Sequence, residues 1–244
     1  MTSLAKFLSA RPLVAAAVAA VVAIPIALFS LQSGAAENAV KLPAVAVDEP
    51  VGSGSEVAVF AGGCFWGVQG VFEHVKGVES AVSGYAGGTV ANPSYEQVGM
   101  EDTGHAETVK ITFDPKQVSY GKLLQIFFSV VQDPTELNYQ GPDHGTSYRS
   151  AVFSTSEAQK KVADAYVAQL DAAKTFPKKI VTEVTSYTNF YQAEDYHQDN
   201  GITLKVNAGY VQFFDVPKIA NLKAMYPEVW QEKPTVVFAS NAQS

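Results

Sequence analysis

The sequence predicts an α+β domain built in two layers and preceded by an N-terminal hydrophobic segment. Three observations predict it. Apolar residues switch repeatedly between a period of 2 and a period of 3.6, so strands and helices are interspersed. Nothing in the spacing requires the strands to run parallel, which fits a two-layer arrangement. The first forty residues differ in kind from the rest. The 244 residues suffice for one good-sized domain with a real core, and no internal repeat divides them.

Met1 to Arg11 carries Lys6 and Arg11 and no acid, and Leu13 to Leu31 then runs without a charge. That run is close to the roughly 20 residues that span a bilayer. A basic start before an all-round apolar run reads as an export signal peptide or an uncleaved signal anchor, over residues 1–33, with its N-terminus in the cytoplasm. A buried core helix is the alternative. Ser33 to Ala36 offer small residues for cleavage, and Pro25 kinks the segment without preventing insertion. Either way the remainder is expected outside the cytoplasm, in a periplasmic or membrane-anchored location. Residues 34–55, rich in Ala, Pro, Gly and Ser, read as a linker. Residues 56–230 read as the folded domain and 231–244 as a flexible tail.

Within the domain, Glu56–Phe60 is a short apolar strand. A helix follows Cys64, with Val68, Val71, Phe72 and Val75 on one face and Gly77 as its stop. Residues 78–85 read as a strand and 86–98 as a Gly-rich loop. The clearest strand is 106–114, where Val109, Ile111 and Phe113 share a face with Glu107. A carboxylate on that apolar face costs free energy unless it is paired or protonated. Ser119 caps a helix whose stripe is Leu123, Leu124, Phe127, Phe128 and Val131, stopped at Asp133-Pro134. A polar loop leads to a strand at 148–154. Ser156 then caps a helix to about Lys174, with Val162, Tyr166, Leu170 and Ala173 inward, and 179–186 closes the series as a strand.

Composition excludes several functions. The net charge of −7 and the lack of a Lys/Arg stripe make nucleic acid an unsuitable partner. A single cysteine forms no internal disulfide, and the four histidines show no metal spacing, so no metal is expected. That cysteine, Cys64, follows two glycines and opens a helix. The helix N-terminus favours thiolate over thiol, which suits a nucleophile. The plainer alternative is a small buried hydrophobe. Phe65 and Trp66 are adjacent, so both do not face the core easily, and one is expected to wall a pocket suited to a methyl thioether.

At "GCFWG" (63–67) the chain resembles the A-type peptide methionine sulfoxide reductases. "SGYAGG" (83–88), "NPSYEQV" (92–98), "DTGHAETV" (102–109), "FDP" (113–115), "DHGTSYRS" (143–150) and "FYQAEDYHQ" (190–198) follow in that family's order and spacing. The resemblance implies an α/β roll with a ferredoxin-like core and long loops. It implies reduction of the S epimer of methionine sulfoxide, free or in oxidised proteins, with no cofactor beyond an external thiol. It makes Cys64 the nucleophile and Phe65 and Trp66 the walls around the substrate methyl. Glu107 becomes the acid on the sulfoxide oxygen, Tyr95 and Tyr148 hydroxyl donors to it, and Asp143 a supporting carboxylate. The residues' own chemistry agrees: the oxygen leaves poorly until protonated, and a buried Glu107 holds a proton near neutrality. On their own residues, Tyr95 and Tyr148 also read as core phenols, and Glu107 as an ion-pair partner of Arg149. His105, His144 and His197 read as hydrogen-bonding scaffold. A hydrolase using Cys64 with a histidine base, and a tethered binding domain, are the competing functions.

Many members of that family carry further cysteines in a C-terminal tail; this chain has none, and Asn200 stands where an aromatic residue is common. An internal disulfide relay is therefore excluded. The expected partner is an external thiol, a thioredoxin-like protein or glutathione, acting through a mixed disulfide. A monomer is the default expectation.

Overall fold

The computed structural model describes residues 39–238, so the predicted N-terminal signal or anchor lies outside the described residues. The chain forms a mixed α/β fold with a curled sheet. The first strand, β1 (Glu56–Gly62), runs two residues past its apolar stretch because Ala61 and Gly62 still pair. A helix, α1 (Phe65–Glu73), returns over the sheet to β2 (Val78–Ala86). Gly77, at φ +88°, makes the turn, and an added Cβ there would lie 2.8 Å from Gln117. Residues 95–99, expected as loop, form a short helix, α2 (Tyr95–Gly99). The reason is a capping box: the Ser94 side chain accepts from the Gln97 amide while the Gln97 side chain accepts from the Ser94 amide.

β3 (Ala106–Phe113) is the predicted central strand, and α3 (Tyr120–Ile126) begins at the predicted cap, Ser119. Its apolar stripe continues through a wider π turn at Phe127–Val131. The polar loop holds a two-residue pair, β4 (Tyr139–Gln140) with β5 (Asp143–His144). The strand expected from 148 begins at Ser150, because Thr146–Tyr148 coil into a 3-10 turn; it is β6 (Ser150–Ser154). α4 (Glu157–Ala172) starts at Ser156. Val162, Tyr166 and Leu170 are buried as expected, but Ala173 is exposed. The helix stops at Ala172, so Ala173 turns away, and Ala163 takes the inward place. Of the strand expected at 179–186, only β7 (Glu183–Ser186) pairs.

The elements after β7 were not foreseen. They are β8 (Phe190–Gln192) and the helices α5 (Asn200–Thr203), α6 (Ala208–Tyr210) and α7 (Val216–Met225). The six-stranded sheet has the order β7-β6-β1-β3-β2-β8; every neighbouring pair is antiparallel except β6 with β7.

Alternation in β1 divides its side chains between two apolar clusters. Phe60 joins the main core with Val68, Phe72, Ile111, Phe113, Leu123 and Phe127, and its ring stacks on Phe127 at 4.8 Å. Each such side chain contributes about 1.5–3 kcal/mol by leaving water. Val59 and Ala61 face the other way, into a small cluster with Ala86, Ala106, Ala151 and Phe153. Glu107 has the parity of Ile111, so β3 delivers a carboxylate to the helical side of the sheet, where α1 begins.

Two outer segments are fastened to this body. Leu42, within the stretch read as a linker, is 3% exposed, and Gln125 Nε2 donates to its carbonyl. In the stretch read as a tail, the amides of Val237 and Phe238 donate to the Asp199 carboxylate. Among the described residues, no helix is long and apolar enough to cross a membrane.

Candidate active site

The N-terminus of α1 opens into a cavity of about 140 Å³ lined by Cys64, Phe65, Trp66, Tyr95, Glu107, Asp143, Tyr148, Asn207 and Tyr210. Every site residue expected from the sequence lies on it, although they come from β3, α1, α2 and the 143–148 loop. Gly63 brings this about at φ +83°, packed so that a Cβ would lie 2.7 Å from Gln140. The chain thereby leaves β1 and turns at once into the helix with Cys64 at its cap.

The first helical amide is committed to the site: Phe65 N–H donates to Glu107 Oε2 at 2.9 Å. The Cys64 side chain makes no capping bond, but the nearby Trp66 amide pulls its pKa down and so favours thiolate, as the sequence suggested; the net effect is the reverse. Burial pushes the Cys64 thiol well up, and the carboxylates of Asp215 and Glu107 push it further. Cys64, 7% exposed, is therefore a thiol at neutral pH.

Glu107 is 3% exposed, and burial raises its pKa to about 8 against the pull of the Phe65 amide, with Asp143 and Asp215 adding to the rise. It therefore holds a proton at neutrality, as expected. It makes no ion pair with Arg149, whose guanidinium bonds to Glu183 at 3.3 Å and to the Gly104 carbonyl.

Tyr95 and Tyr148 bring their phenols to the same space without ionising. Burial and the nearby Glu107 push Tyr95 up to about 12 and Tyr148 higher still. The Tyr95 amide donates to Glu194 Oε1, and the Tyr85 hydroxyl donates to Glu194 Oε2, so one carboxylate sets the position of α2. Asp143 accepts a hydrogen bond from the Tyr210 hydroxyl, and burial raises its pKa.

Both aromatic neighbours of Cys64 wall the cavity, where the helical spacing pointed to one and the resemblance to both. Phe65 and Trp66 sit on the first turn, whose end faces the cavity, so the rule that adjacent helical residues diverge does not separate them. Trp66 Nε1 donates to His197 Nδ1 at 3.1 Å. Burial lowers His197 to about 4, so it is neutral and serves to hold the indole. His105 is likewise structural, accepting from the Gly88 amide and donating to the Val90 carbonyl. No histidine lines the cavity, which removes the base that a cysteine hydrolase requires. Among the described residues no cluster of His, Cys, Asp or Glu could hold a metal.

Comparison with known proteins decides the class. The family model for peptide methionine sulfoxide reductase matches residues 56–229. This chain belongs to the peptide methionine sulfoxide reductase family. It is similar to peptide methionine sulfoxide reductase MsrA 2 of Mesorhizobium japonicum, 53% identical over 195 residues, which are 80% of this chain and 100% of that one. A Synechocystis MsrA 2 is 49% identical, covering 72% of this chain and 81% of its own. Among solved structures, reduced Mxr1 of Saccharomyces cerevisiae aligns with a TM-score of 0.54 at 31% identity, over 63% of this chain and 88% of that one. Methionine sulfoxide reductase A of Corynebacterium diphtheriae aligns at 0.53 and 29%, over 69% and 88%. As a member of this family the chain is an oxidoreductase that reduces peptide methionine (S)-S-oxide with a thiol and so repairs oxidised protein.

Asn207 and Tyr210 are the lining residues that the sequence reading missed. Asn200, the place where this chain departs from many family members, explains their position. Its Nδ2 donates to the Val206 carbonyl and its Oδ1 accepts from the Val206 amide, closing the loop that presents both residues. The departure was visible in the sequence; its two-way bond to the backbone was not.

Proposed function

We propose that Cys64 attacks the sulfur of a methionine (S)-sulfoxide whose oxygen is protonated by Glu107. Tyr95 and Tyr148 donate hydrogen bonds to that oxygen, and Phe65 and Trp66 hold the methyl group. The observation that carries this reading is the cavity on which a buried thiol, a carboxyl group protonated at neutrality and two un-ionised phenols meet. The attack forms a bond between the Cys64 sulfur and the substrate sulfur, which carries the protonated oxygen as a hydroxyl. The sulfur–oxygen bond then breaks as that hydroxyl passes to the Cys64 sulfur, and the sulfur–sulfur bond breaks with it. Methionine leaves with the electron pair, reduced by two electrons, while Cys64 is oxidised by two to a sulfenic acid. The thiol proton replaces the one that Glu107 gave. Asp143, fixed by Tyr210, supports the phenol side of the cavity.

An external thiol then attacks the sulfenic sulfur, expelling water and leaving a mixed disulfide. A second thiol releases Cys64 and carries away the disulfide. Either a thioredoxin-like protein or glutathione meets this chemistry. We assign the fold to an α/β roll on a ferredoxin-like core, supported by the central strand order β6-β1-β3-β2 around α1 and α3. Residues 56–230 form the catalytic domain, exported behind the 1–33 segment, and the enzyme works as a monomer outside the cytoplasm. Protease added to intact spheroplasts of expressing cells should degrade the domain; protection would overturn the export assignment.

The decisive experiment mixes the full-length protein with each epimer of a methionine sulfoxide substrate and excess small dithiol. Only the S epimer should turn over. Cys64→Ser should abolish turnover, and Glu107→Gln should lower it by about 100-fold or more. Turnover of the R epimer, or indifference to Glu107, would contradict the assigned roles. One turnover without reductant should add one oxygen to Cys64 by mass spectrometry.

A further inference from the structure

Beside the cavity lies an aromatic ledge of which the chemistry above uses only Tyr210, as the partner of Asp143. The Tyr210 ring stands edge-on to Trp66 at 6.1 Å, packs on Phe214 at 4.8 Å, and Phe214 meets Phe213 at 4.8 Å. The ledge thus runs without a break from the wall of the cavity to solvent. Phe213 is 52% exposed, and Val216, three residues further along the chain, is 38% exposed. A contiguous exposed apolar surface of this kind marks a binding face. From Val206 to Phe214 only Lys205, just outside, carries a charge on the N-terminal side, and Asp215 at the other end is buried. Another exposed aromatic of the site region, Tyr196, stands instead in the field of Glu194 and Glu96.

The cavity has room for one side chain, and its reacting atoms lie at the bottom of a pocket. A methionine sulfoxide within a polypeptide therefore lays its own backbone, and the residues next to it, across the rim. The ledge continues that rim. We propose that Tyr210, Phe214 and Phe213 form a subsite for an apolar side chain flanking the methionine sulfoxide. The protein substrates favoured by this site are then unfolded segments in which the oxidised residue lies beside an aromatic or large aliphatic one, since such neighbours are buried in folded chains. The proposal rests on the assignment of the cavity as the place where the sulfoxide reacts.

The test compares three substrates of the full-length enzyme under one dithiol: acetylated methionine (S)-sulfoxide amide, and two otherwise identical peptides flanking the sulfoxide with Phe and Leu or with Ser and Gly. The apolar peptide should have a kcat/KM about tenfold above the polar one, the scale set by filling a small apolar pocket. Phe213→Ser should bring the two peptides within about twofold by raising KM at constant kcat, and should leave the small amide unchanged. Phe213→Leu should keep most of the preference. The subsite is overturned if the wild-type enzyme shows no preference, or if Phe213→Ser slows all three substrates alike. It is also overturned if Phe213→Ser raises only the KM for a thioredoxin-like reductant, which would give the ledge to that partner. Failure of the wild-type enzyme on the small amide would instead overturn the cavity assignment itself.

Discussion

At the scale of single residues, the site turns on which of two neighbours carries the proton. Glu107 accepts from one amide of the helix end and Cys64 lies beside the next, yet both are pushed up because burial outweighs the pull of these amides. A group needed in its acid form is lost as pH rises through its pKa. Turnover should therefore fall above about pH 8, where Glu107 ionises, while the Cys64 thiol stays protonated through the same range. In Glu107→Gln the residual rate should show no such fall, and a pH profile of kcat for both proteins checks it. The position of Glu107 was legible because its parity in β3 is fixed by Val109, Ile111 and Phe113. The state of Cys64 was not. The helix end is local and visible in the sequence, whereas Asp215, which opposes it, lies 151 residues further on, in a segment to which the sequence assigned no element.

At the scale of elements, two small devices aim the outer wall of the cavity. The capping box of α2 fixes the turn that carries Tyr95, and its Ser-x-x-Gln signature was present in the sequence but masked by the surrounding Gly- and Pro-rich composition. Ser94→Ala should cost about 1 kcal/mol. It should lower kcat by more than its effect on Tm would suggest, because it loosens Tyr95; thermal melts beside steady-state rates measure both. The second device is the loop closed by Asn200. Its amide reaches Val206 in both directions while fully buried, so Asn200→Ala leaves a backbone donor and acceptor without partners. Each such orphan costs about 1–3 kcal/mol. The loop should open, Tyr210 should leave Asp143, and kcat/KM for small sulfoxides should fall several-fold. A variant with unchanged kinetics would show that the loop holds its shape without this side chain. The short helices after β7 escaped sequence reading for a related reason: their shape comes from such side-chain bonds, not from an apolar period.

At the scale of the whole molecule, the stretch read from composition as a linker packs against the domain. Residues 39–55 carry no helix or strand, but 40–48 lie as a strap across α3 and α4. Val40 N–H donates to the Ser129 carbonyl, the Tyr166 hydroxyl to the Pro43 carbonyl, Gln169 Nε2 to the Ala44 carbonyl, and the Gly121 amide to Asp48. These partners are 73 to 125 residues away where they are side-chain bonds, so nothing in the local sequence announces them. Leu42 anchors the strap in the main core. Its loss should behave as a core truncation: Leu42→Ala should cost about 2–5 kcal/mol. No strap residue lines the cavity, so kcat and KM should stay within about twofold of the wild type. Urea unfolding beside kinetics measures this. A chain trimmed to residue 56 should lose still more stability, because the backbone partners of Gln125, Tyr166 and Gln169 leave together with Leu42. If the trimmed and untrimmed chains unfolded at the same urea concentration, the strap would be a passenger and the boundary read from composition would stand. The opposite result would place the start of the folding unit near residue 39, with the catalytic residues held by a segment that shares none of their chemistry.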